Sequence, residues 1–148
     1  MRRLFDKINL RVTHRLLFRS YLIRGLSALF AGIFILLWPT VTLGSPAYAT
    51  INQVMPYAFS SAAWTLSGVL MLYGLASGYY RIATIGMSLA ATLYSAWAIG
   101  LLTNMLIGTG TGNYAFAVLV YASLAATSII VLLEPPINPE TAIKNKKE

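Results

Sequence analysis

Two long stretches of this chain contain no Asp, Glu, Lys or Arg: Gly25 to Tyr80 and, after Arg81, Ile82 to Leu133. A hydrocarbon core about 30 Å thick takes ~20 helical residues at about 1.5 Å rise each, so either stretch is long enough to cross it twice. Turn residues fall in the middle of both. Pro39, Gly44, Pro46 and Pro56 punctuate WPTVTLGSPAYATINQVMP, and GTGTGN at 108–113 cannot readily continue a helix. The pattern predicts an all-α integral membrane fold with helices near 21–38, 57–79, 82–106 and 114–133, arranged as two hairpins.

Helices are favoured over barrel strands because each unpaired backbone N–H or C=O costs several kcal/mol in lipid, and barrel strands alternate polar with apolar residues. Gly32-Ile33-Phe34-Ile35-Leu36-Leu37 and Ser128-Ile129-Ile130-Val131-Leu132-Leu133 show no such alternation. Aromatic residues stand where interfacial belts belong: Trp38 ends the first span, Tyr57 opens the second, Tyr79 and Tyr80 close it, and Tyr114 opens the fourth.

Composition agrees with this pattern. Of 148 residues 57% are hydrophobic and only 10% charged, where a soluble domain carries about a quarter charged. The net charge of +7 is concentrated at the ends. Arg2, Arg3, Lys7, Arg11, Arg15, Arg19 and Arg24 precede the first span, and Lys144, Lys146 and Lys147 follow the last. Arg81 lies in the one connection that shares their side in a four-span chain, and the two opposite loops carry no charge. The positive-inside rule therefore places both termini in the cytoplasm. Arg81 reads as a snorkelling turn residue.

Arg3, Lys7, Arg11, Arg15 and Arg19 recur every fourth residue, with Leu4, Ile8, Val12 and Leu16 one position later. This local pairing of cationic and apolar stripes predicts a basic amphipathic helix over 1–20 that meets anionic headgroups and curls as its stripe drifts. A four-helix transmembrane domain over 21–133 and a cytoplasmic tail over 134–148 complete the organisation. A competing reading of the N-terminus is a secretory signal, with Ala47-Tyr48-Ala49 as the small-x-small cleavage site. Nucleic acid is a poor partner for the basic segment, because stacking aromatics are few and Leu and Ile fill its gaps.

Chemistry is sparse between residues 25 and 133. That region has no Asp, Glu, Lys, Arg or His except Arg81, no HExxH, and no Ser paired with a His base; cysteine is absent throughout. General acid–base and nucleophilic catalysis lack a second partner, so the expectation is a protein that is not an enzyme and holds no catalytic residue, cofactor or metal. His14, the only histidine, lies among cations, and GTGTG lacks the P-loop lysine. What the helices do carry is small residues at close-packing spacing: Ala28 with Gly32, Gly74 with Gly78, Ala91 with Ser95, Ala96 with Gly100, and Ala122 with Ala126. Ser and Thr residues on the second to fourth spans either form a polar seam or bond their own helix, and Asn104 caps or cross-links helices.

Residues 64 to 100, WTLSGVLMLYGLASGYYRIATIGMSLAATLYSAWAIG, carry a glycine-punctuated helix, a short basic turn and a second small-residue helix. In this order of features the chain resembles the small four-span membrane proteins of tailed phages and prophages, holins among them. RGLSALFAGIFILLWP at 24–39 resembles the first span of HdeD-like acid-stress membrane proteins, which have six spans where this chain has room for four. The phage resemblance implies a protein of the cytoplasmic (inner) membrane that accumulates as packed helices, forms homo-oligomers and then reorganises into lesions. The alternatives are an accessory or exclusion protein that binds another membrane protein, and a passive channel for a neutral solute.

Overall fold

The computed structural model describes residues 2–39, 49–107 and 114–133, with the side chains of α1 described from Leu17 onward. It is helical, with no strand among the described residues. The elements are α1 (Arg2–Leu37), α2 (Ala49–Val54), α3 (Tyr57–Ser77), α4 (Tyr80–Leu106) and α5 (Tyr114–Leu133). Four apolar spans are long enough to cross a membrane: Leu17–Leu37, Tyr57–Ser77, Tyr80–Leu106 and Ala115–Leu133. By length and composition this is a multi-pass membrane protein. The GTGTGN turn and the 134–148 tail lie outside the described residues.

Three boundaries differ from expectation. First, α1 is one continuous helix of 36 residues, about 54 Å long and well beyond a ~30 Å hydrocarbon core. The basic segment therefore shares a helix with the first span, with no break near residue 20. Second, the connection expected as loop contains the short helix α2, which packs on α4. Third, α3 stops at Ser77 because Gly78 takes a left-handed conformation, φ 74°, the usual way a glycine ends a helix.

Packing runs in series: α1 lies on α3, α3 on α4, and α4 on α5. Both of the first two pairs are antiparallel. Gly25 faces Met71 and Leu72 while Gly32 faces Ser61 and Thr65, and Gly74 faces Ala83 while Gly86 faces Ser67 and Met71. The inward positions alternate by four and three: Tyr21, Gly25, Ala28, Gly32 and Ile35 on α1, and Ser60, Trp64, Ser67, Met71 and Gly74 on α3. On α4 the same rhythm runs through Ala83, Met87, Ala90, Tyr94, Trp97, Leu101 and Asn104. This 3.5-residue period keeps one seam facing its partner over many turns, as in left-handed coiled coils.

Large side chains fill the middle of the bundle where α3, α4 and α5 meet. Trp64 packs edge-on against Tyr94, with ring centroids 4.7 Å apart, and against Trp97 at 6.3 Å. Tyr121 of α5 closes the cluster at 5.5 Å from Trp97 and 6.2 Å from Tyr94. Edge-to-face and tilted arrangements at these distances are the favoured aromatic geometries. Outward, Phe30, Phe59, Ile85, Ile99, Phe116 and Leu119 are exposed, a surface suited to lipid. Trp38, Tyr57, Tyr79 and Tyr80 are also exposed, each at a helix end.

Candidate functional site

The residues that carry this molecule's physical chemistry lie along its helix seams. Ala28 is completely buried. A Cβ placed on Gly32 would collide with Thr65 Oγ1, and would lie 2.5 Å from the Thr65 backbone nitrogen. A Cβ on Gly74 would collide with the backbone of Ala83, whose Cα would be 2.8 Å away. Glycine at both positions lets two backbones touch, the role small residues play where lipid supplies no hydrophobic drive to associate. Gly100 accommodates Ile51 of α2, and Ala96 is half-buried. Gly78 is a correction: nothing among the described residues lies within 4 Å of its would-be Cβ, so it packs no helix of its own chain closely. It ends α3, and its spacing from Gly74 is incidental to packing.

Two close approaches were not singled out from the sequence. A Cβ on Gly68 would lie 2.6 Å from the Leu29 nitrogen and 2.7 Å from the Gly25 oxygen. One on Gly86 would lie 2.8 Å from both the Met71 nitrogen and the Ser67 oxygen. Hydroxyls stitch the same seams. Ser61 donates to the Gly32 carbonyl at 2.8 Å, and Ser67 donates to the Gly86 carbonyl at 2.8 Å.

Most other hydroxyls bond their own helix. Thr84, Ser88, Thr92, Ser95 and Thr103 each donate to the carbonyl four residues earlier on α4, at 2.8–3.0 Å. Ser88 and Thr92 face outward. The hydroxyls of α4 therefore serve local backbone carbonyls, the common behaviour of Ser and Thr in apolar helices. Ser60 Oγ and Trp64 Nε1 are buried with no hydrogen-bond partner among the described residues, and Asn104 is buried near the end of α4.

The surface cations divide into two groups. Arg19 and Arg81 are exposed, Arg81 at the start of α4 beside the Gly78–Tyr79 connection. The side chains of Arg3, Lys7, Arg11, Arg15 and His14 lie outside the described residues, although their backbone belongs to α1.

Arg24 is different: it does not precede the first span with the other cations. It lies within the apolar span Leu17–Leu37, is half-buried, and turns sideways to α5. Its Nη1 donates to the Leu124 carbonyl at 3.1 Å and to Ser128 Oγ, and its Nη2 donates to Thr127 Oγ1 at 2.6 Å. Ser128 and Thr127 in turn donate to the Leu124 and Ser123 carbonyls, both at 2.6 Å, which leaves oxygen lone pairs to accept from the guanidinium. An arginine at the centre of a membrane helix costs about 2.5–3.5 kcal/mol on insertion scales, and partners on a neighbouring helix reduce that cost. Arg24 thereby ties the first span to the last.

No protein-family model, curated protein or solved structure matches this chain.

Proposed function

We propose that this chain is a non-enzymatic protein of a cytoplasmic membrane, with both termini cytoplasmic, that acts by self-assembly in the manner of a phage-type holin. The observation that carries the reading is how unequally the spans are covered. Half of the residues in the apolar window of α4 are buried (50%), but only 11% of those in α5. On α5 the small residues Ala122 and Ala126, four apart, both face outward. By contrast Ala28, Gly32, Gly74 and Gly86 are already engaged inside the bundle. Small residues let helix backbones approach, and association in lipid depends on such packing, so α5 is the face on which a second copy is expected. The orientation is supported by Arg19 on α1 and Arg81 at the start of α4, which lie toward one side of the antiparallel α1–α3–α4 arrangement, and by the absence of charge in the opposite loops. The basic residues of α1 then face the anionic lipids of the cytoplasmic leaflet.

Inducible expression with a membrane-potential dye tests the reading. Growth should stop abruptly at a reproducible time with loss of potential, and Ala122→Leu should delay or abolish that event. The chain has no cysteine, so Ala122→Cys reports assembly directly by oxidative cross-linking to a dimer. Undisturbed growth with one co-purifying membrane protein would replace the holin reading with an accessory or exclusion role. Steady solute flux in liposomes without a lesion would replace it with a channel.

A further inference from the structure

The geometry points to Arg24 as the binding site for the phosphate of an anionic phospholipid in the leaflet facing the chain's termini. Ser128, which the guanidinium reaches on α5, is five residues inside the end of that span at Leu133, about 7.5 Å. The guanidinium is therefore below the headgroup plane yet within reach of a phosphate drawn slightly inward, the local thinning that accompanies intramembrane arginine.

A guanidinium carries five N–H donors. Two bonds from Nη1 and one from Nη2 use three of them, and every acceptor is neutral: one carbonyl and two hydroxyls. The positive charge consequently has no anion among these partners. The donors left over are Nε–H and one N–H of Nη2, enough to donate to two oxygens of a phosphate or carboxylate. Thr127, which accepts from Nη2, is exposed, so the described residues leave the seam open to lipid. A tetrahedral phosphate offers the two oxygens, and a net negative headgroup supplies the charge that the seam lacks.

The inference rests on the four spans crossing a bilayer, not on self-assembly. Native mass spectrometry of the full chain in detergent, titrated with phosphatidylglycerol or phosphatidylcholine, tests it. The wild type should bind phosphatidylglycerol at least about tenfold more tightly than phosphatidylcholine, a preference that Arg24→Gln lowers most and Arg24→Lys keeps in part. Arg19→Gln, which removes an exposed headgroup cation five residues away on another face of α1, should lower the preference less than Arg24→Gln does; an equal loss would assign the preference to surface charge and overturn the site. Equal binding of the two lipids by the wild type overturns the site without needing any variant to fold. Two further arms identify other anions. Displacement of phosphatidylglycerol by millimolar inorganic phosphate would make the ligand free phosphate, and a rise in lipid binding on Glu134→Gln would make the counter-ion this chain's own carboxylate. Either result overturns the lipid assignment. A chain that stays in solution without detergent would instead remove the membrane premise.

Discussion

Adding one methyl group at Gly68 should separate α1 from α3. An alanine Cβ there would sit 2.6 Å from the Leu29 nitrogen, 2.7 Å from the Gly25 oxygen and 2.8 Å from Leu29 Cβ. Ordinary contact begins near 3.4 Å, and the two nearest obstacles are backbone, so no side-chain rotation relieves the clash. The helices must retreat by 0.5–1 Å, roughly. At that gap each atom pair, worth about 0.1–0.2 kcal/mol, forfeits a quarter to a half of its attraction, and ~40 pairs across the seam lose about 1–4 kcal/mol. Overpacked cores lose a similar amount, about 1–3 kcal/mol. The backbone entropy that Ala saves over Gly, about 0.5–1 kcal/mol, offsets part of this. The net expectation is a destabilisation of about 1–2 kcal/mol for Gly68→Ala, rising steeply through Val to Leu. Gly78 is the control: its conformation is left-handed but the space around it is open. There, Ala and Leu should cost the same, about 1 kcal/mol. Unfolding in mixed dodecyl sulfate micelles, followed by the fluorescence of buried Trp64 and Trp97, measures both series. A flat series at 68, or a steep one at 78, would refute the close-contact reasoning.

Other substitutions probe single features with the same assay. Ser60→Ala removes a buried hydroxyl that has no partner and should leave stability unchanged or raise it. Ser61→Ala and Ser67→Ala each remove a bond between helices and should cost about 0.6–1.7 kcal/mol; equal effects at all three serines would count against these assignments. Trp64→Phe loses no hydrogen bond and should be milder than Trp64→Ala, for which about 3–5 kcal/mol is expected. Thr127→Val should loosen α5 from α1 by less than about 2 kcal/mol, seen as greater mobility of a spin label on α5; unchanged mobility would mean that Arg24 does not hold the seam through Thr127.

The spans were legible because their signal is an absence: charge disappears from Gly25 to Tyr80 and from Ile82 to Leu133, and backbone chemistry leaves helices as the economical solution. Which face of each helix turns inward was not legible. In water a helix advertises its buried side by polar residues opposite, but here exposed Phe116 and Leu119 are as apolar as buried Met71 and Met87. The four-three rhythm becomes visible only after the partners are known. Gly68 and Gly86 escaped because spacing was sought within one helix, whereas their need for glycine arises from the backbones of α1 and α3 lying against them. Gly78 misled for the complementary reason, since a four-residue spacing from Gly74 coincided with a helix terminus; Tyr79 and Arg81 just beyond it were the available signal. Arg24 was obscured by its neighbours, for it ends a run of cations that sequence reads as one group. Its place inside the first apolar span was the clue, and the hydroxyls that receive it are a hundred residues away.

The topology is tested most directly by single cysteines in this cysteine-free chain, labelled with a membrane-impermeant maleimide in oriented vesicles. Tyr79→Cys, in the α3–α4 connection, should react only from the cytoplasmic side. Gln53→Cys on α2 and Ile107→Cys at the end of α4 should react only from the opposite side. Labelling of either from the same side as Tyr79→Cys would contradict a chain that crosses the bilayer four times.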